Sequence, residues 1–159
     1  MNKSEITEAE GVGVFTRGYP DQMEEASKRD GHELTTFRSQ QPWTSAKNAL
    51  EWRDDDVVVY YCPKGGEEVQ YEATLEDVLL HPERDDEKTE ELLKTQLDIH
   101  RKHDDGLWSG SVESLYRVSE FRELRSPFPF TSLRKLKDGE HIDPDYGYSY
   151  SIVRKRISD

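Results

Sequence analysis

The chain has 159 residues, enough for one domain with a real core and too few for two full domains of ordinary size. A net charge of -12, with 35% charged and 33% hydrophobic residues and a mean hydropathy of -0.97, excludes a helical membrane protein. The 3 Trp, 8 Tyr and 5 Phe argue against simple disorder and for a small aromatic core under a charged surface.

Residues 1–10 read as a frayed polar lead-in, leaving 11–159 as the single domain. Gly11 to Thr16 is a first strand, with Arg17 at its exit, and Pro20 opens a helix to about Asp30 with Met23 and Ala26 facing inward. Glu33 to Arg38 suits a short strand. The stretch from Pro42 to Tyr61 then runs through Trp43, a helical segment ending in Leu50 and Trp52, three acids, and a β-branched and aromatic strand. Tyr60 and Tyr61 face opposite sides of that strand.

Pro63 to Gly66 is a turn signal, so the following run Val69 to Leu80 forms an antiparallel partner, with Val69, Tyr71, Ala73 and Leu75 on one face. Asp85 to Lys102 reads as one helix, acidic in its first turns and basic in its last, with a stripe of Leu92, Leu93, Leu97 and Ile99. A loop carrying Trp108 leads to a strand from Leu115 to Phe121, a short helical turn near Leu133 and Leu136, and a final strand from Tyr146 to Ile157. This order predicts an α+β fold: a small, strongly curved mixed β-barrel of about five to six strands with flanking helices.

Charge is uneven along the chain. Residues 1–110 hold 13 basic and 26 acidic residues, whereas 111–159 hold 9 basic and 8 acidic. The C-terminal third therefore repels a polyanion least, although the acidity as a whole also suits a high-salt habitat or a protein-interaction surface. Cys62 is the only cysteine, so no intrachain disulfide forms, and the polar N-terminus lacks an apolar signal core. The expectation is a cytoplasmic protein without membrane contact; the oligomeric state is not legible.

His100 and His103, three apart beside Asp98 and Asp104, share a helix face, but no third ligand has convincing spacing, so neither a metal nor another cofactor is expected. No serine elbow, phosphate loop or deaminase pair is present, and catalysis is not the favoured reading.

Three stretches resemble the EVE family, a PUA-like β-barrel related to the YTH domains that read modified bases. Trp43 to Asn48 (WTSAKN) is similar to the family's Trp, three residues, Arg and Asn, with Lys47 in the Arg position. VVVYYC after a hydrophilic turn resembles the family's VLFYHS-like strand, and LYRVSEFRELRSPFPFTSLRKL resembles its strand, proline-flanked turn and helix start. Asp55 stands where the family has a turn Gly, and the segment before Trp43 is longer and more polar.

The resemblance implies a PUA-like barrel that holds a modified or flipped base by aromatic stacking and edge hydrogen bonds. Trp43, Ser45, Lys47, Asn48, Tyr60 and Trp108 are then the expected pocket residues, and Arg17, Arg117, Arg125, Arg154 and Arg156 the expected contacts to the backbone of RNA or DNA. The alternatives are a small hydrolase or ribonuclease on an ASCH-type barrel using His100, His103 or the acids, and an acidic protein-interaction domain.

Overall fold

A computed structural model describes residues 1–102, 106–108, 111–145 and 150–157. Two parallel strands lie inside its sheet, β1 (Val12–Gly18) and β3 (Val58–Pro63), in register from Gly13 opposite Val58 to Gly18 opposite Pro63. Outward from β3 come β4 (Glu68–Leu80), β5 (Ser114–Pro129) and β2 (Thr35–Ser39), each antiparallel to its neighbour. On the other flank β6 (Tyr150–Arg154) runs antiparallel to β1.

The strand order is β2-β5-β4-β3-β1-β6, so this is an α+β fold built on one mixed six-stranded sheet. The sheet is open. β2 and β6 do not pair with each other among the described residues, which corrects the expected closed barrel.

Strand alternation sends neighbouring residues to different cores. Val12, Val14, Val59 and Tyr61 face the larger one, whereas Phe15, Tyr60, Cys62 and Val153 face a second with Val69, Phe128, Phe130, Leu133 and Ile142. Three helices cover the first face: α1 (Lys3–Glu8) through Ile6, α2 (Pro20–Ser27) through Met23 and Ala26, and α3 (Thr44–Trp52) through Ala46 and Ala49.

The N-terminal segment is thus a docked helix, not the frayed lead-in expected. Asn2 caps it by accepting the Glu5 N–H at 2.9 Å, and Ile6 is fully buried. Arg53 fixes it to the domain: its guanidinium donates to the carbonyls of Ile6 at 2.8 Å and Ala9 at 2.7 Å, and grips Asp55 at 2.8 Å through two nitrogens.

The long helix expected from Asp85 to Lys102 is broken into α4 (Glu87–Leu93) and α5 (Asp98–Arg101). Partners outside the segment claim the backbone between them. Thr36 N–H and the Arg29 guanidinium donate to the Thr95 carbonyl, Arg29 also takes that of Gln96, and the Glu25 carboxylate caps α5 at Asp98 N–H and Ile99 N–H. Leu92 then packs in a third cluster with Leu107, Leu115 and Trp108, whereas Leu97 joins the main core.

A register shift between Val69 and Tyr71 likewise splits the face expected on β4. Val69 enters the second core, whereas Tyr71, Ala73 and Leu75 pack on the first. The strand after Trp108 is longer than expected, reaching Pro129, and of the expected last strand 150–154 is regular while 146–149 lie outside the described residues.

Candidate nucleic-acid interface

The C-terminal strand carries the parts that matter. Tyr150, Ile152 and Arg154 share one face of β6, and at roughly 3.3 Å per residue Tyr150 and Arg154 stand about 13 Å apart. Each end of this strand meets a different environment.

At the Arg154 end lies a wide cleft of about 750 Å³, between α1 with the start of β1 and the segments 132–136 and 154–157. Arg134, Arg154, Lys155 and Arg156 form one wall, Glu5, Glu8 and Glu10 another, with Leu133 and Leu136 between them. Arg134 and Arg154 converge on Gly139: the Arg134 guanidinium donates to its carbonyl at 3.2 Å, and a Cβ on Gly139 would stand 2.7 Å from the Arg154 guanidinium. The Arg156 guanidinium lies 3.6 Å from the centroid of the Phe128 ring.

No carboxylate stands within ion-pair distance of these four cations among the described residues. Elsewhere such pairs are frequent, as in Arg53 with Asp55, Arg117 with Asp77, and Lys135 with Asp138. In a chain of net charge -12, four adjacent cations left without a carboxylate mark a surface suited to an external anion.

At the Tyr150 end, Trp43 is fully buried and two tyrosines stack on it. Tyr116 is 3.8 Å away at an interplanar angle of 16°, and the half-buried Tyr150 5.1 Å away at 12°. The Trp43 indole Nε1 is buried with no hydrogen-bond partner among the described residues. Its backbone N–H donates to the Ser114 hydroxyl, which in turn donates to the Gln41 carbonyl, pinning the polar loop before α3 to β5.

A smaller cleft of about 80 Å³ opens where β1, β2 and β3 end beside α2. Thr16, Tyr19, Gln22, Arg38, Ser39, Lys64, Tyr61 and Tyr116 are among its lining residues. The Tyr61 hydroxyl is buried beside that of Tyr116; burial first, then the charge of Tyr116 and its hydrogen bond, push its pKa well above the ordinary phenol value. Burial also raises that of Tyr116.

The expected pocket residues do not assemble around one cavity. Trp43 is in the main core rather than at a pocket mouth, Ser45 and Asn48 are half-buried on α3, and Lys47 pairs with Glu51 at 3.8 Å. Trp108 packs in the third cluster with Arg84 over its ring at 5.2 Å. Tyr60 belongs to the second core, where its hydroxyl accepts the Arg156 N–H at 2.9 Å; Tyr61 lines the small cleft instead. None of these six lines either cleft.

The expected backbone contacts also divide. Arg154 and Arg156 lie together on the wide cleft, joined by Arg134 and Lys155. Arg117 is held by Asp77 at 2.7 Å with Glu91 at 3.8 Å, and Arg125 is exposed on β5 outside both clefts. The Arg17 guanidinium points into the second core's rim, 4.6 Å from the Phe130 ring centroid and donating to the Gly66 carbonyl at 3.2 Å.

His100 is buried on α5, and His103 and Asp104 lie outside the described residues. Among the described residues, no helix is long and apolar enough to cross a membrane. No protein-family model matches the chain, and a search of curated proteins finds no match.

Proposed function

We propose that the chain is a non-enzymatic nucleic-acid-binding module of PUA-like, EVE-type architecture, working in the cytoplasm on single-stranded RNA or DNA. The observation that carries this reading is the wall of Arg134, Arg154, Lys155 and Arg156, with no carboxylate in ion-pair range among the described residues, along a cleft of about 750 Å³. That volume falls in the range of roughly 300–1,000 Å³ common to pockets for nucleotide-sized ligands. Phosphates lie along the basic wall, away from Glu5, Glu8 and Glu10.

Recognition of an extruded or modified base belongs to the other end of β6. A base that takes the place of the half-exposed Tyr150 ring stacks on the face of Trp43. Stacking of about 1–3 kcal/mol per base offsets the cost of unstacking the base from its strand.

The test is calorimetry or anisotropy with short RNA and DNA strands, unmodified and bearing methylated bases, at low salt. Binding that weakens with salt, and that prefers a modified base, is expected. No binding to any member of the panel overturns the proposal.

A further inference from the structure

The wide cleft has two walls of opposite charge. Arg134, Arg154, Lys155 and Arg156 line one side and Glu5, Glu8 and Glu10 the other, with Leu133 and Leu136 between them. All seven charged residues are exposed. None of the three carboxylates is in ion-pair range of a cation among the described residues, so neither wall neutralises the other.

The acidic wall is fixed in place from behind. Glu5 and Glu8 stand three apart on α1 and share a face, and Glu10 follows two residues after the helix ends. Two other residues dock this segment. Ile6 is fully buried, and the Arg53 guanidinium donates to the carbonyls of Ile6 at 2.8 Å, Ala9 at 2.7 Å and Glu10 at 3.2 Å. The three carboxylates take no part in that docking, and as a group they cannot move away from the cleft unless α1 undocks.

The dimensions govern what such a cleft admits. A cavity of about 750 Å³ is roughly 9 Å across if equal in its three dimensions, on the scale of the grooves of about 6 and 12 Å that separate the two phosphate rows of a DNA duplex. With one row against the four cations, the second row falls at the carboxylates, where like charges repel. A single strand has only one row. Its phosphates lie on the basic wall and its bases turn to the acidic one, whose carboxylates accept hydrogen bonds from exocyclic amines such as cytosine N4.

We infer that Glu5, Glu8 and Glu10 are the residues that select one strand over a duplex at this cleft. The inference rests on the function proposed above: the cations attract any polyanion, and the acids reject one that brings a second phosphate row. Selection works by repulsion, which widens a difference between two affinities without adding a contact to the favoured ligand.

The experiment uses the full chain. One DNA and one RNA sequence, each single-stranded and annealed to its complement, are titrated at low salt by anisotropy into three proteins. These are the wild type, Glu5→Gln/Glu8→Gln/Glu10→Gln, and a charge-matched control, Glu33→Gln/Glu83→Gln/Glu123→Gln, whose acids are exposed and line neither cleft. Circular dichroism confirms that all three fold. The wild type should bind the single strand more tightly than its duplex, and the cleft variant should narrow that gap by about tenfold, chiefly through the duplex, the scale of three exposed charge contacts. The control should keep the wild-type gap. The narrowing should fade as salt rises, because exposed charges are screened beyond about 8–10 Å. An equal gap in the wild type and the cleft variant, an equal narrowing in the control, or a wild type that binds duplex as tightly as single strand overturns the inference and leaves the function standing. Absence of binding to every strand and duplex by the wild type overturns the function, and this inference with it.

Discussion

Tyr150 stacks on Trp43 with ring centroids 5.1 Å apart and planes 12° from parallel, and it does so from an edge strand while half-exposed. Trp43 itself has no exposed surface. The ring that covers the buried indole is therefore the more accessible of the two.

Replacement of Trp43 by Ala removes an indole packed against Tyr116, Tyr150 and the main core, and is expected to cost about 3–5 kcal/mol. Tyr150→Ala should cost less, about 1–2 kcal/mol, because the ring is only half-buried. Urea unfolding measures both, and the proposed function adds that Tyr150→Ala binds a modified-base strand at least as tightly as the wild type. A Trp43→Ala cost below 1 kcal/mol would contradict the packing described.

Arg53 ties α1 to the body of the domain. Its side chain is 7% exposed, whereas the Asp55 carboxylate it grips is 43% exposed. Arg53→Ala should cost about 2–3 kcal/mol, the scale of losing charge-assisted hydrogen bonds to the carbonyls of Ile6 and Ala9. Hydrogen exchange should show α1 losing protection first; uniform loss across the sheet would count against a local tie.

The same contact gives a pH dependence. The Arg53 hydrogen bond, aided by its charge, holds Asp55 below the ordinary carboxylate range despite some opposing desolvation. A carboxyl depressed in the folded state contributes stability above its unfolded value of about 3.9, and that contribution disappears as pH falls through the lower folded value. Asp55→Asn should therefore flatten the loss of stability below about pH 4. An unchanged acid limb in the variant's pH-dependent urea midpoint would exclude Asp55 as a contributor.

Arg154→Gln and Arg156→Gln test the basic wall through salt. Each phosphate contact removed should lower the slope of log K against log salt by about 0.7 for a single strand, with little change in stability. Equal slopes for wild type and the double variant would remove both residues from the interface.

Gly139 sets the position of the arginine pair. It has φ +75, and a Cβ there would meet the Arg154 guanidinium at 2.7 Å. Gly139→Ala should cost about 1–2 kcal/mol through the left-handed backbone and weaken strand binding by displacing Arg154. Weakened stability with unchanged binding would separate the turn from the interface.

Local pattern made much of this fold legible. Pro20 at the first turn of α2, the inward Met23 and Ala26, the helix ending at Trp52 and the turn between β3 and β4 all follow from signals within a few residues. The break between α4 and α5 was hidden because its causes, Glu25 on α2 and Arg29 just after it, lie far away in the chain. The side change at Val69 is invisible to period-two reading because a register shift carries no residue signature there.

The site was legible unevenly for a similar reason. A Trp beside polar Gln40 and Gln41 reads as exposed, yet Ser114 on β5 ties that loop down and closes the core over the ring. Arg154 and Arg156 were visible as C-terminal basic residues, whereas Lys64 and Arg38 become neighbours of Tyr19 only once β1, β2 and β3 end together.

The pairing of β1 with β6 also fixes an order of events. Val12 lies opposite Arg154, so the first strand gains its second neighbour only after nearly all the described chain has been arranged. Contacts this distant in sequence form late, because the entropy of closing the intervening chain must be overcome first. β6 is a five-residue edge strand, so it should be the last part of the sheet to acquire amide protection during refolding and the first to lose it in the native state. The strand that carries both Tyr150 and Arg154 can then detach and re-anneal without unfolding the rest, and on the proposed function strand capture would proceed on the timescale of that local opening.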